Sequence, residues 1–231
     1  MGKMAIGYGS EWHLMRFMAR HRNCLEKIIE KAEGIEEGTG AFEWLDFEFN
    51  NFFLCDAEIK GLSFLEKFGI TKPEGYINGW EGSQSWDAVF RLDGTIYLVE
   101  AKAHIDELSG DGCQASNGSR EEIKDFITDN FKKYGITAND KCLGKYYQLA
   151  NRLATAAFLS KNGISSKCLY IYFTNGYNKD YDTKSASTED FRIAIDKEKK
   201  ELNLNQDIID TLYTEIFIEA TSGKNDDSSH K

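Results

Sequence analysis

Residues 84–102 read Gln84-Ser85-Trp86-Asp87-Ala88-Val89-Phe90-Arg91-Leu92-Asp93-Gly94-Thr95-Ile96-Tyr97-Leu98-Val99-Glu100-Ala101-Lys102, two apolar runs around an Asp-Gly pair. Asp-Gly between β-branched and aromatic runs is a strong signal for a two-residue hairpin loop. Such a loop pairs Leu92 with Thr95 and, counting outward, sets Asp87 across from Glu100. Opposed like charges destabilise a strand pair, so the two carboxylates call for a compensating cation. Successive side chains on a strand point to opposite faces, which groups Glu100, Lys102 and His104 on one face. Tyr97, Val99, Ala101 and Ala103 take the other face, met across the hairpin by Trp86, Ala88 and Phe90. Val89 and Leu98 are apolar on the first face. With both faces covered, the hairpin suits a central sheet flanked by helices.

Working outward, the 231 residues carry 41% apolar and 13% aromatic side chains and one proline, enough for a sizeable core without an obvious linker. The expectation is one domain over 1–222, followed by a disordered tail over 223–231. No apolar run approaches the roughly 20 residues that span a bilayer, and no basic-then-apolar leader opens the chain, so a cytoplasmic protein is expected. Five cysteines without CxxC spacing suggest reduced, buried thiols rather than a disulfide frame or zinc site. The net charge is −10, which argues against a general nucleic-acid binder. Residues 130–170 are the exception: seven basic side chains against Asp140 make a basic strip.

Other elements follow from periodicity. Glu11 to Glu33 predicts one helix closed by Gly34, and Ala41 to Leu54 an irregular or strand-like aromatic segment. Asp56 to Phe68 predicts a helix capped by Asp56, Gly75 to Trp80 a strand, and 106–119 a loop. Helices are predicted over Glu121–Tyr134, Lys141–Leu159 and Glu189–Leu202. Lys167–Thr174 reads as a buried strand, and Ile208–Ala220 as a strand or a helix. His13, His21 and His104 show no ligand spacing with one another, though His104 shares the carboxylate face.

Asp87 followed by Glu100-Ala101-Lys102 resembles the D…ExK signature of the PD-(D/E)XK nuclease superfamily, the restriction-endonuclease-like fold. Trp86 stands where the superfamily's name has a proline. The Lys141–Leu159 helix adds to the likeness, because several branches carry a glutamine with a tyrosine four residues on. Here Gln148 is matched, and Arg152 takes the tyrosine's place. Glu11 is the candidate for the acid of the first core helix, with Asp46 and Glu48 in reserve. The resemblance implies an α/β core with a mixed sheet flanked by helices, preceded by an extra N-terminal helix and aromatic segment. It further implies magnesium, with manganese able to substitute, held by Asp87, Glu100 and the Ala101 carbonyl. Lys102 would assist the attacking water, Gln148 would position water or substrate, and Arg152, Lys145 and Lys141 would hold the nucleic acid. DNA is the expected partner, no membrane is, and a homodimer is left open. The implied activity is hydrolysis of phosphodiester bonds; the alternatives are a nuclease-fold binding or interaction protein without catalysis, or, given the charge, no nucleic-acid role.

Overall fold

A computed structural model describes residues 9–45, 59–176 and 186–220. Asp46, Glu48, Asp56, Cys55 and the expected tail lie outside these residues. The hairpin forms as its sequence dictates: β4 (Ala88–Leu92) pairs antiparallel with β5 (Thr95–Lys102), Leu92 opposite Thr95. Asp93 and Gly94 both have positive φ, 48° and 86°, the geometry of a two-residue loop that follows the right-handed strand twist. Asp93 Oδ1 also accepts the Ala41 N–H at 3.1 Å.

Five strands make the central sheet, in the order β1 (Phe42–Trp44), β4, β5, β6 (Ser166–Thr174), β7 (Tyr213–Glu219). β1, β4 and β5 run antiparallel, whereas β5, β6 and β7 run parallel. The sheet is therefore mixed, with β5 as the seam. A separate two-stranded ribbon joins β2 (Ile59–Lys60) to β3 (Ser85–Trp86).

Helices cover both faces. On one, α1 (Ser10–Arg20) and α2 (Arg22–Glu33) bury Leu14, Phe17, Met18, Leu25 and Ile29 against Ala88, Phe90, Tyr97, Val99, Ala101, Leu169, Ile171 and Ile216. On the other, α5 (Asn117–Phe131), α6 (Tyr147–Lys161), α7 (Thr188–Glu201) and α8 (Gln206–Leu212) close over Val89, Ile96, Leu98, Cys168, Tyr170 and Tyr172. Every residue of α6 from Leu149 to Phe158 is buried, because the helix is sandwiched between the sheet and α5. The predicted stripe of Tyr146, Ala150, Leu153 and Ala157 lies wholly inside.

Several expectations are corrected. The first helix breaks at His21, where φ is −131° and Arg22 Nε donates to Met18 O at 3.0 Å, taking a carbonyl freed at the helix end. The helix expected over 56–68 is a single turn, α3 (Phe64–Lys67), preceded by β2. Residues 75–80 form no strand; α4 (Asn78–Glu81) is a short turn that buries Trp80. Residues 208–220 are both alternatives in succession, α8 then β7, since an apolar run reads equally well as either. Cys24 is exposed, while Cys113, Cys142 and Cys168 are buried. Among the described residues no helix is long and apolar enough to cross a membrane.

Candidate active site

The pairing of the hairpin breaks one residue before its end. The ladder stops at Ala88–Val99, and Asp87 N–H donates to Val99 O, the partner of Ala88, at 3.2 Å. Asp87 is thus set aside from the strict register that would have placed it squarely opposite Glu100. The same irregularity turns Trp86 to the α6 side of the sheet, not the α1 side with Ala88 and Phe90 as alternation predicted. There Trp86 is fully buried, its Nε1 donates to Gly61 O at 2.8 Å, and its ring lies 4.6 Å from the Arg152 guanidinium.

Asp87, Glu100, Lys102, Gln148 and Arg152 nevertheless meet at the C-terminal end of β5. Glu100 is 4% exposed. Its Oε1 accepts from Lys102 Nζ at 2.7 Å and from Gln148 Nε2 at 2.8 Å, and its Oε2 from Arg152 Nε at 3.0 Å. Burial alone would raise this carboxyl, but Lys102 and Arg152 together hold it below its ordinary value. Asp87, half-buried, is held by the Ala101 N–H on Oδ2 at 2.7 Å. Burial first, and then the charge of Glu100, push it up to about 7 against the pull of Lys102 and Arg152. For Lys102, burial works against the charge it carries, yet Glu100 and Asp87 raise it above its ordinary value. The carboxylate pair expected to need a cation is largely compensated by two side chains, and the shortfall that remains sits on Asp87.

Arg152 is corrected in role. It is 7% exposed and has no surface to offer a nucleic-acid backbone. Its Nη2 donates to Ser85 O at 2.6 Å and its Nη1 to Asn151 Oδ1 at 3.2 Å. Asn151 Oδ1 in turn accepts from buried Gln84 at 3.2 Å, whose Oε1 accepts from the Tyr76 hydroxyl. The guanidinium therefore ties β3, β5 and α6 to one carboxylate. The basic strip of 130–170 does not form a single surface. Lys141 pairs with Glu201 at 2.8 Å, and Lys167 reaches Glu33 at 2.6 Å from the α2 side of the sheet. Lys145 is exposed, its ammonium 4.8 Å from the Tyr146 ring. Glu11 is exposed in the first turn of α1, the helix over the face opposite Glu100. Its neighbour Ser10 reaches the strand end, Oγ donating to Glu107 Oε2 at 3.1 Å.

Two acids of this region escaped the sequence. Glu107 lies in a 3-10 turn (Ile105–Leu108) just after β5, and its Oε1 accepts the N–H groups of Ala103 and His104 at 3.0 and 2.8 Å. Glu198 of α7 is 2% exposed. Burial pushes it up to about 8, opposed by Lys102, Lys199 and Lys145. A signal for Glu198 was present, since with Phe191, Ile195 and Leu202 it continues the apolar stripe of that helix. His13, by contrast, is a core residue, 5.2 Å from the Phe173 ring and pushed down to about 4 by burial and by Arg16.

The donor chemistry suits a hard divalent cation. Among the described residues Asp87 Oδ1 has no hydrogen-bond partner and Glu100 Oε2 has one, and Asp87 is short of positive charge; carboxylate oxygens of this kind are what magnesium takes. The match is one of two acids rather than three: among the described residues no group of three or more His, Cys, Asp or Glu could hold a metal. Comparisons with protein-family models, with curated proteins and with solved structures find no match for this chain.

Proposed function

We propose that this chain is a metal-dependent nuclease that hydrolyses phosphodiester bonds in DNA, on a restriction-endonuclease-like core. The observation that carries this is the meeting of Asp87, Glu100, Lys102 and Gln148 at one strand end, the residues of the D…ExK and glutamine motifs. Asp87 and Glu100, with the Ala101 carbonyl, would hold magnesium or manganese. When bound, such an ion lowers the pKa of water and offsets charge on phosphate oxygens. Lys102 orients the attacking water and offsets transition-state charge. Gln148 fixes the Glu100 carboxylate, and Arg152 anchors it from inside the fold.

The test is cleavage of supercoiled plasmid and of single-stranded oligonucleotides in magnesium or manganese. The wild type is expected to cut both or one of them, and Lys102→Ala to lose about 10²–10³-fold in kcat. Equal rates in wild type and variant would remove Lys102 from the chemistry. One observation favours a second function, a nuclease-fold binding protein without catalysis: Glu100 already has three side-chain donors, including a buried arginine. That protein would neither cut nor bind manganese.

A further inference from the structure

The ladder between β4 and β5 ends at Ala88–Val99, while β5 continues beside β6 as far as the pair Lys102–Tyr172. Among the described residues, the end of β5 therefore has a strand on one side only. Val99 O faces β4, where it accepts the Asp87 N–H; backbone groups alternate in direction along a strand, so the N–H groups of Ala101 and Ala103 face that same open side. Carboxylates take the place of the strand there. Asp87 Oδ2 accepts the Ala101 N–H at 2.7 Å, and Glu107 Oε1 accepts the N–H groups of Ala103 and His104 at 3.0 and 2.8 Å. The Lys102 backbone lies between these two clamps.

Glu107 also reaches the other face of the sheet, because its Oε2 accepts from Ser10 Oγ of α1 at 3.1 Å. One half-buried carboxylate thus joins the end of β5, the turn after it and the start of α1. Hydrogen bonds to an ionised acceptor are about twice as strong as neutral ones, and a strand end whose N–H groups lacked partners would fray. Lys102 reaches Glu100 Oε1 at 2.7 Å, and a reactive constellation tolerates only about 0.5 Å of misplacement. A side chain aims no better than the backbone that carries it. The charge of Glu107 is the lesser influence, since Glu100 and Asp87 come before it in favouring the charged form of Lys102 against the cost of burial.

We propose that Glu107 is a positioning residue: by holding the Ala103 and His104 N–H groups it fixes the end of β5 and keeps Lys102 aimed at the Glu100 carboxylate. Its bearing on cleavage rests on the metal-dependent nuclease reading, and its hold on Lys102 does not. Two variants separate hydrogen bonding from charge. Glu107→Gln keeps an acceptor oxygen and loses the charge, whereas Glu107→Met keeps the length and loses both. Each is compared with the wild type in DNA cleavage, in amide hydrogen exchange at Ala103 and His104, and in the nuclear magnetic resonance signal of the Lys102 side-chain nitrogen. Glu107→Met is expected to lose about tenfold in kcat with KM within about twofold, to exchange both amides about tenfold faster or more, and to shift the Lys102 signal. Glu107→Gln should stay within about threefold of the wild type in kcat and exchange, with the Lys102 signal in place. Equal damage in both variants overturns the proposal, since charge would then be what matters. An unmoved Lys102 signal in Glu107→Met also overturns it, as does an undiminished kcat. A wild type that cuts nothing, with exchange and the Lys102 signal responding as expected, removes the nuclease reading and leaves Glu107 as the holder of Lys102. Should Glu107→Met not fold, the other two proteins decide: amides protected in both, with the Lys102 signal in place, support the proposal, and amides that exchange freely in the wild type refute it.

Discussion

At the scale of residues, the candidate site holds carboxyls where stability alone would not place them. Asp87 bears the cost of burial and of a like charge nearby, and its amide analogue could still accept the Ala101 N–H. Asp87→Asn is therefore expected to cut cleavage at least ~10²-fold, while leaving stability unchanged or raised by about 1 kcal/mol at pH 8 in urea unfolding. A parallel loss of stability would mean that Asp87 serves the fold instead. Arg152 behaves oppositely. Removing it leaves Glu100 Oε2 without its donor and two buried acids with Lys102 as their counter-charge, so Arg152→Met should cost about 3 kcal/mol, measured by the same unfolding. Arg152→Lys should recover little, because a lysine has neither the planar fork that reaches Glu100, Asn151 and Ser85 together nor the flat face that lies on Trp86.

Elements differ in how far their sequence foretells them. The β4–β5 turn is decided by two residues, and Gly94→Ala should cost about 1 kcal/mol, since an L side chain is strained at a φ of 86°. A shift of the urea midpoint with an unchanged slope would register it. The register from Leu92 to Ala88 and the composition of both β5 faces were legible for the same local reason. The displacement of Asp87 was not, because it depends on Trp86 turning to meet Gly61 and Arg152, partners distant in the chain. α6 was legible as a helix and as the carrier of Gln148, yet Arg152 read as a surface cation because sequence does not reveal that both flanks of the helix are covered. Glu198 lies on a helix that is otherwise polar, and its spacing from Phe191 and Ile195 is the one local sign that it faces the core. Short elements such as α3, α4 and β2 are set by tertiary packing rather than by any period of their own.

Across the whole molecule, the buried acids set how stability depends on pH. Glu198 keeps its proton to about 8 in the fold but loses it near 4.5 when unfolded, and Asp87 does so to about 7 against 3.8. Over those windows the unfolded chain binds fewer protons, so each group lowers stability as pH rises, by at most about 1.4 kcal/mol per pH unit. His13 works the other way, raising stability between about 4 and 6.5, where only the unfolded chain is protonated at this position. The fall should therefore be steepest between about pH 6.5 and 7 and level off near pH 8. Thermal unfolding from pH 5 to 9 checks this, and Glu198→Gln should be flatter than the wild type up to about pH 8. Identical profiles would mean that Glu198 titrates normally.

The mixed sheet also orders events in time. β4 and β5 are chain neighbours, and such local pairs close at little entropic cost; β6 pairs with β5 only after the long excursion through α5 and α6. Arg152 reaches Glu100 across 52 positions and Gln148 across 48. A nascent chain can thus bring its two acids together on the hairpin with Lys102 as their one counter-charge, and the docking of α6 brings Arg152 to offset the rest of that early repulsion.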